Sequence, residues 1–253
     1  MGLLVVETKL ARRWIGEPTA EPPRADGLYG VDHDGDPLRL VMIGDSSAAG
    51  LGVHEPEHTP GAMLATGLAE AAGHPVQLTN VARSGAQSTD LERQVDSALA
   101  SAPHVAVVMI GANDVTHRVR PATSVRLLEM AVRRLRTAGV EVVVGTCPDL
   151  GTVEPIAQPL RYIARRWSRQ LAAAQTIAVV ETGCRTVSLG DILGPEFAAA
   201  PSEMFGPDRF HPSAAGYRAF LIGERFMTDA NPAAAIGALI GGTAGLQPGT
   251  TTA

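Results

Sequence analysis

The sequence predicts an α/β fold, a single-domain three-layer α/β/α structure around a central five-stranded parallel sheet. Short apolar runs alternate along the chain with longer stretches of helical periodicity. The units recur at roughly thirty residues, the length of a βαβ crossover, and right-handed crossovers produce parallel strands with helices on both faces. Ligands bind such sheets at the carboxyl ends of the strands. Residues that directly follow a strand are therefore the candidates for chemistry.

Runs rich in Val, Ile and Leu predict the strands, because parallel strands covered on both faces are apolar almost throughout. The predicted strands are Leu38–Ile43, Val76–Val81, Val105–Ile110, Val140–Thr146 and Ile177–Val180. Between and after them, apolar residues recur at helical spacing, which predicts amphipathic helices. The predicted helices are Pro60–Ala72, Thr89–Ala100, Ala122–Ala138, Pro159–Gln175 and Ser213–Thr228.

Both ends of the chain lack this alternation. The segment from Glu17 to Pro37 is rich in Pro, Gly and Asp without a sustained period, and the tail from Gly241 is small and polar. We therefore predict an irregular N-terminal arm over residues 1–37, a folded domain over residues 38–230, and a partly disordered C-terminal extension over residues 231–253.

Composition and charge exclude several classes of function. The 253 residues carry a net charge of −5, which argues against a nucleic-acid partner, and the arginine clusters have the spacing of solvated helix faces. Cys147 and Cys184 make no disulfide framework, although a single pair stays open, and the histidines lack the spacing of a zinc site. We therefore expect no metal site.

The apolar run from Leu3 to Val6 is too short for the core of a signal peptide or for a membrane span. As it stands, the chain predicts a cytoplasmic protein. A chain trimmed of an anchor would look the same, so association with a membrane or the cell envelope stays open.

The first predicted strand is followed by the turn Gly44-Asp45-Ser46-Ser47-Ala48-Ala49-Gly50. On such a turn the hydroxyl and the backbone N–H of Ser46 can both face a ligand. Taken alone, the segment also fits a phosphate-binding loop or a serine that caps the next helix.

Two further segments follow predicted strands. Gly85, after the second strand, permits close approach of the backbone to a ligand, or simply makes a turn. Asn113, after the third strand, can offer a side-chain N–H to a developing oxyanion, or form a turn with its own backbone.

Near the C-terminus, Asp208 precedes His211 by three residues. A carboxylate at this spacing can reach the imidazole Nδ1–H and hold the tautomer whose Nε2 accepts a serine proton. Ser213, two residues later, is a candidate N-cap of the last helix.

Taken in order, these four segments resemble the SGNH (GDSL-like) hydrolase superfamily over about Leu38 to Tyr217. Gly44 to Ser46 match its Gly-Asp-Ser block, with Ser47 where the name-giving leucine would stand. Gly85 matches its second-block glycine, and the Gly-x-Asn-Asp and Asp-x-x-His blocks match the segments that contain Asn113 and His211. The Gly-x-Ser-x-Gly elbow of α/β-hydrolases is absent.

This resemblance implies a flavodoxin-like SGNH fold and a serine esterase that needs no cofactor. The catalytic residues would be Ser46 as nucleophile, His211 as base and Asp208 as its partner. The oxyanion hole would use the backbone N–H groups of Ser46 and Gly85 and the side chain of Asn113. The partner would be a small-molecule ester, with a lipid or an acylated sugar as possible forms.

Three alternative functions stay open at this point. An acyltransferase or a carbohydrate deacetylase would use the same acyl-enzyme, and a phosphate- or nucleotide-binding flavodoxin-like module is a distant alternative.

Aromatic residues make up only 4% of the chain, and the loops beside the site are short or polar. We therefore expect no large groove, and a preference for acyl groups from acetate to hexanoate. The segment Cys147 to Pro159 is expected to be a loop near the site.

Overall fold

In the computed structural model, residues 21–222 are described, and they contain a six-stranded sheet with the strand order β1-β3-β2-β4-β5-β6. The strands are β1 (Gly27–Tyr29), β2 (Leu38–Gly44), β3 (Val76–Asn80), β4 (Val105–Met109), β5 (Glu141–Gly145) and β6 (Arg185–Val187). All neighbours pair in parallel except β1, which is antiparallel to β3. The predicted α/β class and parallel sheet are confirmed, and the described sheet has six strands rather than five.

Helices cover both faces of this sheet. They are α1 (Ser46–Ala49), α2 (Pro60–Ala72), α3 (Leu91–Leu99), α4 (Ala112–Thr116), α5 (Pro121–Thr137), α6 (Leu160–Glu181), α7 (Leu189–Ala199), α8 (Pro201–Met204) and α9 (Ala214–Ile222). Single turns of 3-10 helix occur at Pro56–His58, Ser88–Asp90 and Leu150–Thr152. Ser213 caps α9 as expected, since its hydroxyl accepts the N–H of Gly216 at 3.1 Å. The predicted end of this helix at Thr228 lies outside the described residues.

The predicted strand Ile177–Val180 was wrong, because these residues form the last turns of α6. Ala178 and Val179 are buried there, whereas Ile177 and Val180 are 62% and 55% exposed. A run of four apolar residues does not distinguish a strand from one side of a helix. The edge strand of this half of the sheet is instead β6, whose three residues are too few to show a period.

The N-terminal arm also departs from the irregular structure expected for it. Its residues Gly27–Tyr29 form β1, which pairs with Val76–Leu78 at the edge of the sheet. Residues 1–20 of the arm and the extension at 231–253 lie outside the described residues, so the division of the chain into three parts stays a prediction.

The core is built from the two faces of β2 and β4, on which successive side chains alternate. Met42 and Met109 belong to the apolar cluster on one face, and Ile43 and Val108 to the cluster on the other. All four are at most 5% exposed. The central strands are thus held on both sides, which gives their carboxyl ends a fixed position.

The carboxyl ends of the three central strands lie side by side. Gly44 at the end of β2 pairs with Met109 at the end of β4, and Met109 pairs with Gly145 at the end of β5. The segments that follow these strands therefore emerge along one edge of the sheet. Within residues 21–222 no helix has the length and apolar character needed to cross a membrane.

Candidate active site

The turn that carries Ser46 is shaped by the close contact between β2 and β4. Gly44 has a φ of +143°, and a Cβ added to it would lie 1.9 Å from the carbonyl oxygen of Met109, so only glycine fits. The carboxylate of Asp45 then accepts the N–H of Ser47 at 2.9 Å and caps α1. Ser46 becomes the first residue of that helix, where its own N–H has no partner within the helix.

His211 and Asp208 meet Ser46 from the other end of the chain. His211 Nε2 lies 2.9 Å from Ser46 Oγ, and His211 Nδ1 lies 2.5 Å from Asp208 Oδ2. Burial raises the pKa of Asp208, but the hydrogen bonds from the His211 ring and from two backbone N–H groups outweigh it and hold the pKa below its ordinary value. An ionised Asp208 accepts the Nδ1 proton, so Nε2 is left to accept the Ser46 hydroxyl.

The loop from Gly206 to Pro212 holds this pair in position. Arg209 adopts the left-handed conformation, with a φ of +57°, between the two residues of the pair. The other carboxylate oxygen of Asp208, Oδ1, accepts the N–H groups of both Phe210 and His211, at 3.0 and 2.9 Å. The aspartate is thus a backbone anchor for the loop as well as the partner of the imidazole.

The three expected oxyanion donors come from segments that meet at this edge of the sheet. Gly85 is exposed, with a φ of +79° and open space where a side chain would be. One N–H of the Asn113 side chain donates to the carbonyl of Ala86 at 3.0 Å, which ties α4 to the loop of Gly85 and leaves the second N–H for a ligand.

A buried glutamine that the sequence analysis missed holds the turn before Ser46. Gln94 on α3 is 2% exposed, and its amide accepts the N–H of Gly44 at 2.7 Å and donates to the carbonyl of Gly44 at 2.9 Å. The same carbonyl accepts the N–H of Arg83, at the start of the loop that contains Gly85. Gln94 therefore connects two segments that carry expected oxyanion donors.

The sequence feature that could have identified Gln94 is its position on α3. It lies in register with Leu91, Val95 and Ala98, the apolar face of the helix. Gln175 on α6 is a second case, fully buried on a helix face that points into the protein.

Two other buried polar groups fix the exits of β4 and β5. Asp114 is 1% exposed and accepts hydrogen bonds from the N–H and hydroxyl of Ser88 and from the hydroxyl of Ser124. Gln175 accepts the N–H of Cys147 at 2.8 Å and donates to the carbonyl of Ile110 at 3.0 Å. Together they join the Asn113 segment to the loops on either side of it.

The segment after β5, expected only as a loop, is anchored by a buried carboxylate. Asp149 accepts the N–H of Gly151 at 2.8 Å and the guanidinium Nε of Arg169 at 3.0 Å, with Arg165 at 3.4 Å. This side chain is only 3% exposed. Its charge is therefore satisfied by α6 and is not offered to a ligand.

Asp45 precedes Ser46 in the chain, and burial is the largest influence on the pKa of its carboxyl group. Burial raises its pKa from 3.8 to about 6, although the hydrogen bond from Ser47 and the proximity of His211 lower it.

Within residues 21–222, His, Cys, Asp and Glu side chains form no group of three that could hold a metal ion. Cys147 and Cys184 are both buried free thiols.

Comparison with known proteins gives one family. Residues 42–219 match the sequence model of the GDSL-like Lipase/Acylhydrolase family. The GDSL-like esterase Rv1075c of Mycobacterium tuberculosis is 43% identical over 228 residues, which cover 85% of this chain and 72% of that protein.

Solved structures share the fold at lower sequence identity. The crystal structure of TesA superposes with a TM-score of 0.59 at 23% identity and covers 74% of this chain and 96% of its own. A catalytic mutant of Axe2, an acetylxylan esterase from Geobacillus stearothermophilus, gives 0.58 at 21% identity and covers 76% of this chain and 95% of its own.

Replacing Gln94 by Met, which has a similar shape, should lower both stability and turnover. The buried N–H of Gly44 loses its acceptor, and an unsatisfied buried polar group costs about 1–3 kcal/mol. A displaced Ser46 turn should also reduce kcat about tenfold or more, because catalysis is sensitive to shifts of this kind. Urea unfolding and ester hydrolysis measure the two effects.

Val95→Ala, on the same helix, is the control, and it should lose stability without the loss of kcat. Equal kcat in Gln94→Met and Val95→Ala would reduce Gln94 to a core residue.

Replacing Asp45 by Asn should stabilise the fold at high pH only. The folded state holds the Asp45 proton up to about pH 6, while the unfolded chain releases it near its ordinary value. The contribution of Asp45 to stability therefore falls as pH rises between these values and stays unfavourable above them, by on the order of 3 kcal/mol. Asn keeps an acceptor for Ser47 and removes the charge. Unfolding measured at pH 4 and pH 8 should show a stabilised variant at pH 8 alone, and an equal effect at both values would contradict the assignment.

Proposed function

Because the chain belongs to the GDSL-like lipase/acylhydrolase family and is a serine ester hydrolase, we propose that Ser46 is its nucleophile, His211 its general base and Asp208 the partner of that base. The observation that carries this proposal is the continuous hydrogen-bonded series from Ser46 Oγ through both imidazole nitrogens to Asp208. Ser46 and His211 are 165 residues apart in the chain. A turn or an ion pair formed by residues that are neighbours in the chain would not bring two residues so far apart into contact.

In the acylation step, Ser46 Oγ attacks the ester carbonyl carbon and its proton passes to His211 Nε2. The C=O electron pair moves to the oxygen, which becomes the oxyanion. Asp208 stays ionised because its pKa is lowered, and it stabilises the imidazolium. The oxyanion then re-forms the carbonyl, the C–O bond to the alcohol breaks, and Nε2 returns its proton to the leaving alcohol.

In the second step, a water molecule attacks the acyl-enzyme. His211 Nε2 takes a proton from the water and later gives it to Ser46 Oγ as the acyl–oxygen bond breaks. The products are the carboxylic acid and the free enzyme. No redox step or group outside the chain, the ester and water enters this scheme.

We assign the oxyanion to three donors, the N–H groups of Ser46 and Gly85 and the side-chain N–H of Asn113. The support for Asn113 is that the hydrogen bond to Ala86 orients its amide while using only one of its two protons. Donors held in this way need no reorganisation when the charge develops, which is the condition for effective stabilisation of a transition state.

The alternatives from the sequence differ in how they use this site. An acyltransferase or a carbohydrate deacetylase would share the acyl-enzyme and differ in the attacking or leaving hydroxyl. A phosphate-binding module would leave the Ser46–His211–Asp208 series without a role. The substrates of the family are small-molecule esters, and we propose that the acyl group is short.

Ser46→Ala should abolish ester hydrolysis and leave the fold intact, because the hydroxyl makes its one side-chain bond to His211. Treatment of the unaltered protein with a fluorophosphonate should place the adduct on Ser46, as read by peptide mass spectrometry. Ser84→Ala, in the adjacent exposed loop, is the control and should keep both activity and label. An adduct on Ser84 or Ser47 would refute the nucleophile assignment.

Asn113→Ala should reduce kcat by about 10² to 10³ with KM little changed, because an oxyanion donor strengthens its bond mainly in the transition state. Steady-state kinetics on a p-nitrophenyl ester measure both constants. Thr116→Ala, at the exposed end of the same short helix, should behave like the parent protein. An Asn113→Ala variant with unchanged kcat would show that Asn113 only shapes the turn.

A further inference from the structure

An apolar cleft lies next to the proposed catalytic residues. The side chains that line it include Leu150, Leu189, Leu193, Phe197, Phe205 and Phe210. Three of the five phenylalanines of the chain are thus gathered here. The low aromatic content predicted that the protein has no large groove, and the cleft in which these few aromatic residues gather is small.

The cleft lies beside the proposed site. Ser47, Ala112 and Pro212 also line it, and these residues are the chain neighbours of Ser46, Asn113 and His211. The ring of Phe210 packs edge-on against the ring of His211, with their centroids 5.0 Å apart. A group attached to a carbonyl carbon at Ser46 therefore has an apolar surface directly beside it.

The polar residues of the lining do not offer free charges. Asp149 is held by Arg169 and by the N–H of Gly151. The hydroxyl of Thr152 donates to the carbonyl of Asp149 at 2.8 Å. An apolar ligand can enter without leaving these groups unpaired, whereas a charged ligand finds no partner here.

The cleft is small. Its volume is about 50 Å³. One water needs about 10–15 Å³ of comparable space, so the cleft has room for roughly four water-sized groups. Roughly four methylene-sized groups beyond a carbonyl carbon at Ser46 fill this space, which corresponds to an acyl chain of about five to six carbons.

We propose that this cleft binds the acyl chain of the ester and limits it to about two to six carbons. The proposal rests on the proposed function, since it needs a carbonyl carbon at Ser46. The alcohol part of the ester is left outside the cleft. Chain length is thus selected by the space between α7 and the Leu150–Thr152 turn.

Gly194 on α7 provides the sharpest test. It lines the cleft, and a Cβ added to it meets no atom within 4 Å. Gly194→Leu should therefore fill part of the cleft, at some cost in stability because Pro195 follows directly within α7 and crowds a side chain at the preceding position. Gly67→Leu is the matched control, because Gly67 lies in α2, also has open space around its Cβ and does not line the cleft.

The measurement is kcat/KM over p-nitrophenyl esters from two to sixteen carbons. The parent protein and Gly67→Leu should gain up to about fourfold per methylene as far as six carbons and then level or fall, because each buried methylene contributes a fixed free energy. Gly194→Leu should lower the rate on hexanoate, relative to the rate on acetate, tenfold or more. Leu193→Ala should extend the gain by two or more carbons.

Several results would overturn the proposal. One is an unchanged chain-length profile in both variants, and another is a steady rise to sixteen carbons in the parent protein. A third is a Gly194→Leu profile that changes instead along a series of acetate esters with longer alcohols, because the cleft would then hold the leaving group. Should Gly194→Leu not fold, Leu193→Ala alone decides between a longer and an unchanged profile. Labelling of Ser46 by a methyl fluorophosphonate in each variant separates these outcomes from failure of the proposed function, which would abolish the label.

Discussion

The exits of β2 and β4 approach each other so closely at Gly44 and Met109 that no side chain fits between them. The N–H of Asp45 donates to the carbonyl of Met109 at 3.1 Å, so the chain crosses from the strand into α1 while still bound to the neighbouring strand. Ser46 follows directly, and its position is defined by the sheet rather than by a loop. The loop of Gly85 and the helix of Asn113 depend on the same edge, because each begins where a neighbouring strand ends.

Strand exits leave backbone N–H and C=O groups that the sheet no longer pairs, and buried groups of this kind need partners. Gln94 and Gln175 supply both a donor and an acceptor from one amide, at Gly44 and between Ile110 and Cys147. Asp114 supplies two acceptor oxygens to Ser88 and Ser124. These groups connect three separate segments at one edge of the sheet, and hydrogen bonds of this kind would pre-organise the donors that we propose for the oxyanion.

Two carboxyls near His211 are pushed in opposite directions by their surroundings. Asp208 receives hydrogen bonds from the imidazole and from two backbone N–H groups, and its pKa is lowered despite partial burial. Asp45 is fully buried with fewer donors, and burial raises its pKa to about 6. The ionised form is therefore favoured at Asp208, where it contacts the imidazole of His211, and disfavoured at Asp45, which caps α1.

The sequence by itself determined the fold class, four of the six described strands (β2 to β5) and the set of residues proposed for catalysis. Apolar runs and helical spacing are local patterns, and the motifs around Ser46, Asn113 and His211 lie where the predicted strands and loops end. The pattern failed where it was short, at Ile177–Val180 and at β6. Only the tertiary structure decided that His211 lies within hydrogen-bonding distance of Ser46, that Gln94 holds Gly44, and that the phenylalanines gather into a small cleft. These are contacts between residues far apart in the chain, and they depend on how the helices pack on the sheet, which no local pattern records.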